Sequence, residues 1–347
     1  MDPTLSELMQ TDALPFEEQA LERLRGGGEK MLAEIRKVIV GQNEIIETLM
    51  IALLCGNHCL ITGAPGLAKT LLIRTIARIL DLEFKRIQFT PDLMPSDICG
   101  TEIIDEDRAT GHRVLRFIPG PNFTHLRLAD EINRTPPKTQ AALLEAMEEK
   151  QVTIAGERRP LTQPFYVLAT QNPIELEGTY PLPEAQLDRF MFNLRIDYLS
   201  EEEELAVATR TTAVQNVELQ HLYSGQDMLD FARLVRLVPV ADPIARYAVR
   251  LTQASRPASP NAPDFVRNWV SWGAGTRGSQ NLLLGAKARA LYHGRVHVSI
   301  ADIKAVAPPV LRHRILTNFR AEADAVTSDD IITRLLEHVR EPQSGLS

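Results

Sequence analysis

The 347-residue chain is 44% hydrophobic and 24% charged and carries a formal net charge of −7. That length allows one large domain plus a smaller one. The acidic balance argues against a broad basic field for nucleic acid or an anionic membrane, although a local basic lining inside a ring stays compatible with it. No apolar run approaches the roughly 20 residues of a membrane span. The start, Met1-Asp2-Pro3-Thr4, has no apolar core and reads as lacking a signal peptide. Cys55, Cys59 and Cys99 are an odd set that reads as reduced thiols, so a cytoplasmic protein is expected.

Residues 1–29 form a polar N-terminal tail or helix that closes on Gly26-Gly27-Gly28, a flexible joint by composition. Met31 to Ile39 has the spacing of an amphipathic helix, and a second helix starts from Asn43, taken as its cap. The turn between them, Ile39 to Gln42 with Val40 and Gly41 at its centre, is placed to line the pocket for a nucleotide base. The apolar run Cys59-Leu60-Ile61-Thr62 is then followed by Gly63-Ala64-Pro65-Gly66-Leu67-Ala68-Lys69-Thr70-Leu71, and Leu71 to Leu80 is apolar at helical spacing. A buried strand, a glycine-bearing turn and a helix N-terminus in that order make a phosphate cradle, because backbone N–H groups and the helix dipole converge on one anion. Lys69 would reach the β- and γ-phosphates of a nucleotide, and the Thr70 hydroxyl would ligate Mg²⁺. Ala68 stands where the general pattern has glycine, and ordinary helical dihedrals there would leave the cradle intact. The competing reading is a helix-opening turn with an incidental lysine.

Phe84 to Phe89 alternates as a strand, and Thr90 to Gly100 reads as a turn and a short helix ending at glycine. Residues 101–118 read as two short strands around Asp105 to Gly111, a hairpin expected to project and touch a substrate or partner. Leu126-Arg127-Leu128-Ala129-Asp130-Glu131 is a mostly apolar strand ending in two acids. Asp130 would hold Mg²⁺ through water and Glu131 would orient and deprotonate the attacking water; a solvated acidic strand end is the alternative. Arg127 sits oddly in a central strand and calls for an acidic partner or an unusual register. A helix follows from Pro136 to Glu149, then a second hairpin over about 151–161 and a buried strand from Phe165 to Thr170 that places Asn172 at its carboxyl end, facing the ligand crevice. After a last strand over 191–196, the chain reads as helices alone.

The ordered set Val40-Gly41-Gln42, Gly63 to Thr70, Thr90 to Asp97, Leu128 to Arg134, Pro136 to Gln140, and Ala169 to Pro173 running on to Arg189-Phe190 resembles the MoxR family of AAA+ ATPases. Ala68 departs from phosphate loops at large but not from this family, whereas Arg127 departs from the family itself. The resemblance implies an α/β fold, a P-loop AAA+ αβα core with a parallel sheet over 30–198, followed by an all-helical lid domain over 199–347. It implies a homo-oligomeric, hexameric ring that hydrolyses ATP with Mg²⁺, with both hairpins facing the pore. It makes Asn172 the first sensor, Arg189 the finger inserted into a neighbour's site and Arg277 the second sensor in the lid. Ordinary alternatives are a salt bridge of Arg189 with Asp188 or Glu184, and a solvated helix-start charge at Arg277. The implied work is chaperone-like remodelling, activation or metal or cofactor insertion of a client enzyme, with a von Willebrand factor A domain protein as partner. A nucleic-acid translocating motor is the rival, and the net charge argues against it.

Overall fold

The computed structural model describes residues 15–106, 113–173, 178–212 and 217–342. In the first half the elements are α1 (Pro15–Leu24), α2 (Gly27–Arg36), α3 (Asn43–Leu54), β1 (Cys59–Gly63), α4 (Lys69–Ile79), β2 (Phe84–Gln88) and α5 (Pro95–Cys99). They continue with β3 (Gly100–Glu106), β4 (Arg113–Pro119), β5 (Leu126–Asp130), α6 (Pro137–Glu149), β6 (Gln151–Ile154), β7 (Glu157–Pro160), β8 (Tyr166–Gln171), α7 (Glu184–Leu187) and β9 (Phe192–Ile196). The second half holds α8 (Glu201–Thr211), α9 (Gly225–Leu237), α10 (Asp242–Ala254), α11 (Asp264–Trp269), β10 (Val270–Trp272), α12 (Thr276–Tyr292), α13 (Ile300–Leu311), β11 (Leu316–Thr317), α14 (Phe319–Ala323) and α15 (Ser328–His338). Among the described residues no helix is long and apolar enough to cross a membrane.

The central sheet has the order β2-β5-β8-β1-β9, with every pair parallel. Strands covered on both faces need apolar residues on both, and β1 and β8 carry them, whereas β2 is an edge strand and keeps Lys85 and Arg86. The two faces bury different clusters. Ile61, Leu126, Leu128 and Leu168 join the helices α1 to α4 and much of the second half, while Leu60, Ala129, Val167 and Ala169 pack on α5 and α6. This period-two division follows from the pleat. It also brings the carboxyl ends of β1, β5 and β8 together along one edge, where ligands of open α/β sheets bind.

Several local expectations change in the folded chain. Gly27 and Gly28 are buried and open α2 instead of forming a loose joint. A Cβ on Gly27 would lie 2.3 Å from the Tyr223 hydroxyl, and one on Gly28 would lie 2.6 Å from the Tyr292 carbonyl oxygen, so close packing explains both glycines. Gln42, not Asn43, occupies the cap of α3, and the Asn43 side chain accepts from Arg36 Nε at 2.9 Å. Among the described residues the regular elements of the second half are helices apart from β10 and β11, an antiparallel ladder too short to show as an alternating run. Parts of three expectations, the N-terminal tail up to residue 14, the hairpin tip at 107–112 and the chain end at 343–347, fall outside the described residues.

Arg127 is fully buried and meets neither expected explanation. Its register with β2 and β8 is regular. Its guanidinium donates to Asn122 Oδ1 at 2.8 Å, to the Thr124 carbonyl at 3.0 Å and to the Asn122 carbonyl, and it lies 3.8 Å from the centroid of the Phe165 ring. Carbonyl dipoles and a π face thus take the place of a carboxylate, and burial pulls the guanidinium well below its ordinary pKa. Beside it, His58 accepts from the Val167 N–H at 3.0 Å and bonds the Met147 carbonyl at 3.3 Å. Burial lowers its pKa to about 4, so it stays neutral next to the cation. Arg127→Ala is expected to remove about 3–5 kcal/mol of stability through a cavity and orphaned carbonyls. A urea midpoint that drops with unchanged slope would show it; a loss under about 1 kcal/mol would mean that water replaces the guanidinium.

Candidate active site

The loop Gly63 to Ala68 connects β1 to α4. Gly66 has φ 83°, and Ala68 has φ 55° and ψ 20°, a left-handed conformation rather than the helical one expected. That conformation costs an alanine about 1–2 kcal/mol. α4 has no side-chain cap, so its first N–H groups are left for an anion. Lys69 Nζ donates to the Gly63 carbonyl at 2.5 Å, across the mouth of the loop. Burial lowers the Lys69 pKa, and the carboxylates of Asp130 and Glu131 oppose that shift.

A cavity of about 430 Å³ is walled by Pro65 to Leu71 on one side and by Arg86, Asp130, Glu131, Thr170 and Asn172 on the other. The structure therefore brings together Lys69, Thr70, Asp130, Glu131 and Asn172, all picked out in the sequence. Gly63 and Ala64 lie at the base of the loop and outside the wall; a Cβ on Gly63 would come 2.5 Å from the Ile196 carbonyl oxygen. Asp130 Oδ1 accepts from the Thr170 hydroxyl at 2.6 Å, and the same hydroxyl accepts from the Glu131 N–H at 2.8 Å. Glu131 itself is left-handed, φ 57°, held by that bond, by Gln88 Nε2 donating to its Oε2 at 2.6 Å and by Arg134 Nε 3.1 Å from the same oxygen. Strain fixed by surrounding contacts is a property of many functional positions.

Thr170, Gln88 and Arg86 are site residues that the motifs alone did not mark. The available signals were a polar residue near the carboxyl end of an apolar strand and two polar residues on a strand that turns out to neighbour β5.

A second cavity, about 230 Å³, adjoins the first across Gly66, Leu67, Ala68 and Leu71. Val38 to Val40, Gln42, Tyr198, Leu199, Glu204, Val207 and Arg210 complete its wall, apolar apart from Gln42, Glu204 and Arg210 and the polar parts of Tyr198. Val40 lines it; Gly41 lies behind it with φ 67°, where a Cβ would come 2.3 Å from Glu203 Oε1. Arg210 Nη2 donates to the Lys37 carbonyl at 2.5 Å, so α8 closes the side of the pocket that the sequence left open. Together the two hollows fall within the roughly 300–1,000 Å³ of ligand sites, and their apolar and anion-binding halves match a base and a phosphate chain. A larger hollow of about 510 Å³ between α3, β9, α13 and α15 is lined by charges that pair with one another, Arg195 with Asp197 and Arg312 with Asp329.

Arg189 and Arg277 line neither of these two cavities. Arg189 Nη2 lies 3.0 Å from Glu148 Oε2, and its Nη1 donates to the Leu144 carbonyl at 2.6 Å. Arg277 Nη2 lies 3.1 Å from the other Glu148 oxygen, and its Nη1 lies 3.5 Å from Asp188. The expected local partners of Arg189, Asp188 and Glu184, are therefore replaced by Glu148 on α6. Asp188 instead binds the buried Arg314 at 2.7 Å.

The model of the AAA ATPases, the ATPase family associated with various cellular activities, matches residues 58–192, and an AAA lid domain model matches residues 266–335. The chain is 41% identical to Chaperone MoxR1 of Mycobacterium tuberculosis over 315 residues, 91% of this chain and 82% of that one. The chain belongs to the MoxR family of AAA+ ATPases. It is also 33% identical to Protein MoxR of Paracoccus denitrificans, covering 82% and 86% of the two chains. A crystal structure from Cytophaga hutchinsonii, named there as a candidate ATPase, superposes with a TM-score of 0.86 at 42% identity, covering 94% and 98%. The MoxR-type assignment makes this an αβα AAA+ ATPase with a helical lid that binds and hydrolyses ATP, and it disfavours the nucleic-acid motor.

Proposed function

We propose that this MoxR-family ATPase works as a cytoplasmic hexameric ring that uses Mg²⁺-dependent ATP hydrolysis to remodel or activate a client protein. In this reading the αβα core runs to about residue 198 and the lid from about 199. The observation that carries it is the division of charged groups: Lys69, Asp130, Glu131 and Asn172 line one cavity, whereas Arg189 and Arg277 are tied to Glu148 outside it. Arg86 is the one guanidinium among the residues lining that cavity, and it is paired with Asp130. So in this reading Arg189 acts as the finger in a neighbour's site, and turnover depends on assembly.

Lys69 and the uncapped start of α4 hold the phosphates, while the Val38–Val40 turn with Tyr198 and Leu199 holds the base. The Thr70 hydroxyl and the Asp130 carboxylate are hard oxygen donors on facing walls, the donor type that Mg²⁺ takes. When bound, Mg²⁺ supplies charge neutralisation on the phosphate oxygens. Glu131 accepts the proton of the attacking water, and Asn172 orients that water. Arg189 stabilises charge on the phosphoryl group of the adjoining subunit, and Arg277 acts as the second sensor in the lid. The β3–β4 hairpin leaves Ile104 and Leu115 directly opposite each other and largely exposed, at 68% and 66%, an apolar pair suited to client contact. Partnership with a von Willebrand factor A domain protein is part of the same reading.

Turnover measured against protein concentration, with mass by light scattering at each point, tests the ring. Specific activity is expected to rise as the mass approaches six subunits. Activity that stays flat in a monomer would overturn the proposal and favour a nucleotide-switched binding module.

A further inference from the structure

The Arg86 guanidinium occupies the place on Asp130 that a cation would take. Its Nε and Nη2 donate to Asp130 Oδ2 at 2.9 and 2.7 Å, and Nη2 also donates to Gln88 Oε1 at 2.5 Å. The other carboxylate oxygen, Oδ1, is taken by Thr170. A divalent cation approaching Asp130 therefore competes with Arg86 for one oxygen. The competition is open to displacement, because Arg86 stands on the edge strand β2 with 46% of its side chain exposed, so solvent can take up the guanidinium. A dication, meanwhile, brings twice its charge to an Asp130 carboxylate that is only 15% exposed.

Displacement does not carry Arg86 out of the site. The residue is part of the wall that faces the phosphate loop, together with Asp130 and Glu131. Once parted from Asp130, its planar fork of donors faces the far end of a phosphate chain held by Lys69 and the start of α4, and guanidinium groups bind phosphate oxygens bidentately. A triphosphate extends one phosphoryl group further toward that wall than a diphosphate.

We infer that Arg86 is a further phosphate-binding residue, exchanged from Asp130 to the terminal phosphate when metal and nucleoside triphosphate enter together, and that it sets the preference for triphosphate over diphosphate. This rests on the nucleotide-site reading above. It differs from the role of Arg189 in acting on the site of its own chain.

The test is equilibrium binding of fluorescent ATP and ADP analogues to the full chain, for wild type, Arg86→Gln and Arg86→Lys, with Mg²⁺ and with EDTA. Arg86→Gln is expected to weaken ATP binding by about 10- to 100-fold, the size of a lost charge-assisted hydrogen bond, while ADP affinity stays within about twofold of wild type, as one phosphate contact predicts. Arg86→Lys should recover part of the loss. In EDTA the wild-type preference for ATP should shrink toward that of Arg86→Gln, because Arg86 then stays on Asp130. Equal weakening of both nucleotides, or an unchanged ratio, would overturn the inference and leave Arg86 a support for Asp130. The retained ADP affinity reports that the variant is folded. Failure of the wild type to bind either nucleotide would instead overturn the underlying site assignment, so the two failures are distinguishable.

Discussion

Glu131→Gln is expected to bind ATP with near wild-type affinity and to turn it over about 10²- to 10⁴-fold more slowly, the range lost with a positioned general base. The amide keeps the shape of the side chain and can still accept from Gln88, which donates to Glu131 Oε2 at 2.6 Å. The left-handed backbone at residue 131 is held through its own N–H by Thr170, a bond the substitution leaves alone. What is lost is the capacity to take a proton. Single-turnover phosphate release together with an ATP binding isotherm separates the two effects. Turnover within about threefold of wild type would remove Glu131 as the base, since a group that merely orients water is not expected to be required for proton removal.

The second large effect belongs to Arg189→Ala. Turnover should fall by about 10³- to 10⁵-fold, as for other arginine fingers, with nucleotide affinity unchanged, because Arg189 lines neither cavity of its own chain. The side chain is 30% exposed and its partner Glu148 44%, so the ion pair itself contributes about 1 kcal/mol at most, beside the hydrogen bond to the Leu144 carbonyl that is lost with it. Mixing supplies the decisive arm. Arg189→Ala subunits carry an intact Glu131, and Glu131→Gln subunits carry an intact Arg189, so mixed rings contain some interfaces with both groups. Activity above the sum of the two separate variants is the expected result. Activity equal to that sum would mean that Arg189 acts within its own chain or not at all.

The residues that could be named before any fold was known are those whose chemistry is carried by neighbours in the chain. The run Gly63 to Thr70 announces itself because a strand, a turn and a helix start must follow one another to converge N–H groups on an anion. Asp130 and Glu131 are marked by an apolar strand that ends in two acids, and Asn172 by the polar end of another. In each case periodicity and adjacency suffice, and the parallel sheet follows from alternation of such units.

The residues that only the tertiary structure supplied act across long sequence separations. Arg86 meets Asp130 and Thr170 joins Asp130 to Glu131 because β2, β5 and β8 lie side by side, an order that no single strand records. Tyr198, Leu199, Val207 and Arg210 wall the hollow beside the phosphate-loop cavity because the start of the second half folds back over the turn after α2. Arg127 violates the apolar pattern of a central strand, and its solution, two backbone carbonyls, an asparagine and a phenyl ring, depends on the Asn122–Thr124 turn meeting Phe165. The left-handed Ala68 likewise escapes prediction, since an alanine by its type favours the right-handed region. Local pattern determined the strand–loop–helix run from Gly63 to Thr70 and the two acids that face it across the cavity. Strand order and packing decided which cations face those acids, because side-chain electrostatics act through space and follow the fold rather than the chain.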